Sequence, residues 1–127
     1  MKLILILKEI CYKLNLVADY VVEQGTSGIW TYRKWNSGIA ECWFQSASWT
    51  GVATTAVMGG YWTYASVTLP FNFVSAPAGV ADAVTGTGMG FANLVGYSTS
   101  TITIHVVGNQ NSKQINVRFA YVIGRWK

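Results

Sequence analysis

Charge is what this chain has least of. Only 11% of its 127 residues are Asp, Glu, Lys or Arg, and just 5 are acidic. From Ile29 onward the carboxylates are Glu41 and Asp82, and the only histidine is His105. A glycosidase needs two carboxylates a few ångströms apart, and Glu41 is placed to be engaged by Arg33. A Ser-His-Asp set would have to combine Asp82, His105 and a serine, with no G-x-S-x-G elbow to present the nucleophile. The expectation is that the protein is not an enzyme. Cysteine is equally scarce. Cys11 and Cys42 lie in segments of different kind, outside any C-x-x-C or Cys/His spacing, so two free thiols, no metal site and no cofactor are expected. The net charge of +4 is scattered without a basic run, which argues against a nucleic-acid partner but leaves long-range attraction to an anionic surface polymer open. Long apolar runs are absent as well. Leu3 to Leu7 is cut short by Lys8-Glu9, too short to span a membrane, and no h-region with a small-residue cleavage site follows. Neither membrane insertion nor a signal peptide is expected. The glycine cluster Gly86-Thr87-Gly88-Met89-Gly90 lacks the Lys-Ser/Thr of a phosphate loop and reads as a mobile loop.

What the chain has is apolar and aromatic surface. Half of it (51%) is hydrophobic and 14% is Phe, Trp or Tyr. So few charges cover so little surface that association through an apolar face is expected. Residues Lys2 to Gln24 contain no Gly or Pro. Leu3, Leu7, Ile10, Leu14, Val17 and Val21 recur at spacings of 4 and 3, a seam of about three heptads. Gly25-Thr26-Ser27-Gly28 would end that helix as a hinge. The expected organisation is a coiled-coil helix over 1–24, a hinge over 25–28 and a β-domain over 29–127; the alternative for the helix is an ordinary amphipathic one packed on its own domain.

From Ile29 the pattern is β. Aromatic-rich runs on either side of Asn36-Ser37-Gly38 predict a hairpin with Gly38 in the left-handed position. In that register Trp35 faces Ile39, Arg33 faces Glu41 and Tyr32 faces Cys42, so opposite charges and apolar partners meet. Arg33, Trp35, Glu41 and Trp43 then share one face. Further strands are expected at Ile39–Trp49, Tyr61–Leu69, Phe91–Tyr97, Thr101–Val107 and Ile115–Ile123, with two more at Val52–Val57 and Phe71–Val74. Short strands with Gly/Asn turns predict a mainly β fold, an antiparallel sandwich or jelly roll, behind the N-terminal helix. Alternation assigns Ile102, Ile104 and Val106 to the core, likewise Tyr61, Ala65, Val67 and Leu69, and the row Ile115, Val117, Phe119, Tyr121 and Ile123. Trp62, Tyr64, Ser66 and Thr68 then point outward. Six tryptophans are too many for one small core. Indoles stack on the C–H faces of sugars while keeping an N–H free, and they also fill subunit interfaces. Trp49, Trp62, Tyr64 and His105 are the candidate glycan contacts.

The stretch Trp30-x-Tyr32-Arg33-Lys34-Trp35-x-Ser37-Gly38-x-Ala40-Glu41-x-Trp43 resembles the opening of the C-terminal domain of tail-fibre or baseplate receptor-binding proteins in phages and prophages of Gram-positive bacteria. The ending Tyr121-Val122-Ile123-Gly124-Arg125-Trp126-Lys127 resembles that family's last residues, and Val67 to Phe71 with Ser75-Ala76-Pro77 is similar to its middle. The resemblance runs from Gly28 to Lys127. It implies a homotrimer whose helices form a short coiled coil through Leu3, Leu7, Ile10, Leu14, Val17 and Val21, with Trp35 at the interface between heads. It implies adhesion to a host cell-wall saccharide, other tail proteins as partners, and a place at the tail tip or fibre of a virion, or in the host cytoplasm before assembly. The alternative is a purely structural trimerisation module that binds no ligand. Family members carry long N-terminal attachment regions, whereas Met1 here stands directly before the helix, so no attachment part is expected.

Overall fold

The structure, a computed structural model, describes residues 2–13, 19–45, 50–53, 55–57, 59–85, 90–111 and 113–127. Helix α1 (Lys2–Lys13) precedes strands β1 (Val21–Ser27), β2 (Trp30–Trp35), β3 (Ile39–Gln45), β4 (Thr50–Ala53), β5 (Thr55–Val57), β6 (Gly60–Thr68), β7 (Ala78–Thr85), β8 (Gly90–Tyr97), β9 (Thr101–Gly108) and β10 (Lys113–Arg125). Two antiparallel sheets result. Sheet A runs β1-β2-β3-β10-β4 with β7 also paired to β10, and sheet B runs β5-β6-β9-β8. Strands β3 and β4 follow one another along one side of β10, while β7 lies along the other. The mainly β, sandwich-like class read from the sequence is the one observed.

The core lies between the sheets. Ile102, Ile104 and Val106 of β9 meet Cys42 of β3 and Val117 and Val122 of β10, and these are the largest fully buried side chains. Trp30 is buried as well. Its Nε1–H donates to the Thr68 carbonyl at 2.8 Å and its ring meets Phe44 edge-on at 5.0 Å. That hydrogen bond ties sheet A to the end of β6 and satisfies the one polar atom the indole carries inward.

The hairpin register is as read. Tyr32 pairs with Cys42 and Arg33 with Glu41, and Gly38 has φ 94°, where a Cβ would also lie 2.8 Å from Arg125 Nη2. Three readings are corrected. The helix does not extend to Gln24, because Val21–Ser27 is a strand. Its neighbouring Val21-Val22 favours extended backbone, and β2 gives it a hydrogen-bonding partner, with Ser27 opposite Trp30 across a turn opened by Gly28 at φ 59°. Val21 therefore leaves the heptad seam, the hinge becomes a hairpin, and the β-domain begins before Ile29. Second, Phe71–Val74 is not a strand. Phe71 and Phe73 pack ring to ring at 4.8 Å in a loop pinned by Phe73 N–H to Thr99 O and Val74 N–H to Arg125 O, both 2.8 Å. Third, β10 changes phase. A register shift between Val117 and Phe119 inserts one residue, so Val117, Ala120 and Val122 are buried while Ile123 is 39% exposed. A bulge swaps the faces of everything beyond it, and it sends Phe119 and Tyr121 outward with Ile123. Leu14, Val17, Trp49 and most of the Gly86–Gly90 loop lie outside the described residues.

Candidate functional site: an aromatic face on sheet B

Strand alternation and cross-strand register build the site. On β6, Trp62 and Tyr64 are two residues apart and share the outer face of sheet B. The register sets Trp62 opposite Val107 and Tyr64 opposite His105 on β9, which in turn face Phe91 and Asn93 on β8. Inner residues Ala65, Leu94, Ile104 and Val106 are buried beneath and hold these strands in place. The Trp62 and Tyr64 rings stack with centroids 5.9 Å apart and planes 27° from parallel. His105 lies 4.9 Å from Trp62 and 6.2 Å from Tyr64. Three of the four candidate glycan contacts are thus one cluster. Tyr64 is 58% and Phe91 63% exposed, so the platform opens to solvent. Such a surface offers flat π-faces, an imidazole, a phenol and the Asn93 amide, groups suited to stacking and hydrogen bonding. Phe91 and Asn93 were missed by the sequence reading. Their alternation within Phe91–Tyr97 was visible, but only the β8–β9 register sets them beside His105.

The outer face of sheet A differs. Glu41 accepts a 2.6 Å hydrogen bond from the Tyr121 hydroxyl and sits 3.7 Å from Arg33, whose guanidinium lies over the Trp43 ring at 5.2 Å. Burial, followed by the bond to Glu41, pushes the Tyr121 phenol up to about 12. Both carboxylate oxygens of Glu41 thus have a partner, Oε2 the Tyr121 hydroxyl and Oε1 the Arg33 guanidinium. A depression lined by Gln45, Asp82, Arg118 and Phe119 lies on this sheet too, away from the aromatic platform. Asp82 on β7 and His105 on β9 belong to different sheets. Trp35, expected at a subunit interface, is half-buried beside the hairpin turn, and its carbonyl accepts the Trp126 Nε1–H at 3.0 Å. Among the described residues no group of three or more His, Cys, Asp or Glu is placed to hold a metal ion, and no helix is long and apolar enough to cross a membrane.

On α1, Leu3, Leu7 and Ile10 are 68%, 52% and 46% exposed, as are Ile4, Leu5 and Ile6 at more than half. The Lys8 ammonium lies 4.6 Å from the centroid of Tyr20, just before β1. Of the expected seam, the described helix carries Leu3, Leu7 and Ile10, and they are exposed within one chain.

An antiparallel two-sheet head behind a helical lead-in is the class of domain this architecture defines. Within that class, the solved structures it is similar to are tail fibres of pyocins. An N-truncated R1-type pyocin tail fibre is 15% identical, with a TM-score of 0.58, over 92% of this chain and 94% of that one. An N-truncated R2-type pyocin tail fibre is 19% identical with a TM-score of 0.57, over 86% of this chain and 38% of that one. A C-terminal portion of the P. aeruginosa R1 pyocin fibre is 15% identical with a TM-score of 0.58, over 90% of this chain and 30% of that one. The chain spans less than half of those two longer fibres, and the likeness is one of fold. No protein-family model matches the chain, and no curated protein does.

Proposed function

We propose that the protein is a receptor-binding head of a phage-type tail fibre, a homotrimer that adheres to a cell-surface saccharide through the outer face of sheet B. The observation that carries this reading is the Trp62–Tyr64–His105 cluster, exposed on a head whose fold is shared with pyocin tail fibres. The pyocin of P. aeruginosa among them shifts the support to the tail fibre itself rather than to a Gram-positive host. Trimer formation is supported by the exposed apolar residues of α1, and the fold shared with pyocin tail fibres supports a place at the virion tail. The absence of catalysis is supported by the engagement of Glu41 with Arg33 and Tyr121 and by the separation of Asp82 from His105. Each site would bind weakly, and many copies along a fibre array would multiply the effect.

The test is a glycan panel and purified cell walls, probed with the native protein and with Trp62→Ala. Saccharide binding is expected, with a loss of about tenfold or more in the variant, equivalent to about 1.4 kcal/mol. Undiminished binding by a folded Trp62→Ala protein removes the site. A second reading, a structural assembly module without a ligand, is favoured by the exposed helix alone. It predicts a stable trimer that binds neither panel nor cell wall.

A further inference from the structure

The formal charges of the described strands all lie in sheet A. Glu23, Arg33, Lys34, Glu41, Asp82, Lys113, Arg118 and Arg125 all belong to strands of sheet A, whereas β5, β6, β8 and β9 contain no Asp, Glu, Lys or Arg. Between Gly51 and Ser112 the one charged residue is Asp82, and it is on β7 of sheet A. On the platform itself the polar groups are hydroxyls, amides and one imidazole. Tyr64 lies beside His105, His105 beside Asn93, and Ser66 opposite Thr103.

Carboxylates and phosphates are recognised by charge-assisted hydrogen bonds, above all from Arg and Lys. Desolvating an anion against rings and hydroxyls without such a partner is costly. Described cations of sheet A are engaged elsewhere. Arg33 pairs with Glu41 and lies over Trp43, Lys34 pairs with Glu23 and sits among Phe71, Trp126 and Tyr32, and Arg118 lines the depression that also holds Asp82. Hydroxyls and amides, by contrast, both donate and accept, which matches the hydroxyls of a sugar. We infer that the ligand of this platform is an uncharged pyranose, stacked on Trp62 and Tyr64 and hydrogen-bonded by neighbouring hydroxyl and amide groups, with no ionic contact. The inference rests on the saccharide-binding reading and narrows it: the basic excess of the whole chain plays no part in choosing the sugar.

The experiment titrates the full chain with methyl pyranosides of glucose, galactose, mannose and N-acetylglucosamine, and in parallel with the matching uronic acids and hexose 6-phosphates, following tryptophan fluorescence and NMR shifts. At least one neutral pyranoside is expected to bind, with a Kd that changes less than about twofold between about 0.05 M and about 0.5 M salt. Its charged counterparts should bind about tenfold or more weakly. Ser66→Lys, an exposed substitution, places a cation on the platform and should raise uronate affinity in a salt-dependent way. A uronate or phosphate preferred over every neutral sugar by the native protein, with affinity falling steeply in salt, overturns the uncharged ligand and leaves the saccharide reading standing. No response to any sugar overturns both. Unchanged uronate binding in a folded Ser66→Lys protein places the ligand elsewhere and overturns the assignment to this face.

Discussion

Lys34 carries its charge into a ring of aromatics. Its ammonium lies 4.9 Å from the Phe71 centroid, 5.4 Å from Trp126 and 5.7 Å from Tyr32, and it donates to Glu23 Oε2 at 3.0 Å. One side chain therefore joins β1, β2, the Phe71–Phe73 loop and the C-terminus. The Lys34 side chain is 15% exposed, so its cation–π contacts are partly desolvated and worth more than surface ones, while the ion pair to half-exposed Glu23 adds little. Lys34→Met is expected to cost about 1–2 kcal/mol, read as a lower urea midpoint at unchanged slope. Glu23 itself is held below its ordinary value by the bond from Lys34 and then by that from Tyr32. A depressed carboxylate stabilises above its unfolded value and loses that contribution as pH falls, so acid should loosen β1 first. Cys42 works in the opposite direction. Burial, and to a lesser extent Glu41, pushes its thiol from 9.0 up to about 12. The unfolded chain ionises first, so this contribution is complete below pH 9 and disappears as pH rises through about 12. Its size is on the order of 4 kcal/mol. Denaturation curves taken from about pH 8 upward should fall less steeply for Cys42→Ala than for the native protein. Parallel slopes would show that the thiol contributes nothing to alkaline unfolding.

Among the elements, the hairpin was legible because three local signals agreed: a glycine at the turn, opposite charges at Arg33 and Glu41, and apolar partners at Tyr32 and Cys42. Strand β7 was not, because Ala78-Gly79-Val80-Ala81 has few strand formers and owes its state to pairing with β10. The bulge in β10 leaves no mark in a row that reads apolar at every second position, so the alternation was followed into the wrong phase. That phase is testable. Val122→Ser removes a fully buried side chain and should cost about 2–4 kcal/mol, whereas Ile123→Ser, on the exposed face, should cost less than about 1 kcal/mol. Equal costs, or the reverse order, would restore the unbulged strand. Of the expected helix, the described part is Lys2–Lys13. Beyond it, tertiary pairing with β2 overrode the helical period at Val21. A helix of 12 residues is below the length that is stable alone in water, so α1 needs partners. Removing residues 1–18 should leave the urea midpoint of the β-domain nearly unchanged while lowering the assembly state measured by light scattering. A large loss of stability would mean that the helix belongs to the sandwich after all.

For the whole molecule, the site was legible as a set of outward-facing residues but not as a cluster. Alternation alone sends Trp62 and Tyr64 out. Only a pairing some forty residues away in sequence brings His105 to them, and no local pattern encodes that. The resulting arrangement is spatial: an aromatic cluster free of formal charge on sheet B, the strand charges on sheet A, and exposed apolar residues on α1. The proposed sugar contact and the proposed contact between copies use different surfaces, and they should separate by mutation. Tyr64→Ala, at an exposed position, is expected to weaken the binding of a monovalent glycoside by about tenfold and leave assembly intact. Leu7→Asp, which places charge in the exposed seam, is expected to leave monovalent affinity within about twofold but to lower retention on purified cell walls by about a hundredfold, the factor that linked sites supply. Calorimetry with the free glycoside and a cell-wall sedimentation assay, run on both variants, separate the two effects. If Leu7→Asp breaks the assembly yet sediments with cell walls as the native protein does, adhesion does not depend on several heads acting together. If it weakens the free glycoside as strongly as it weakens retention, the sugar site is completed by a neighbouring copy rather than built within one chain.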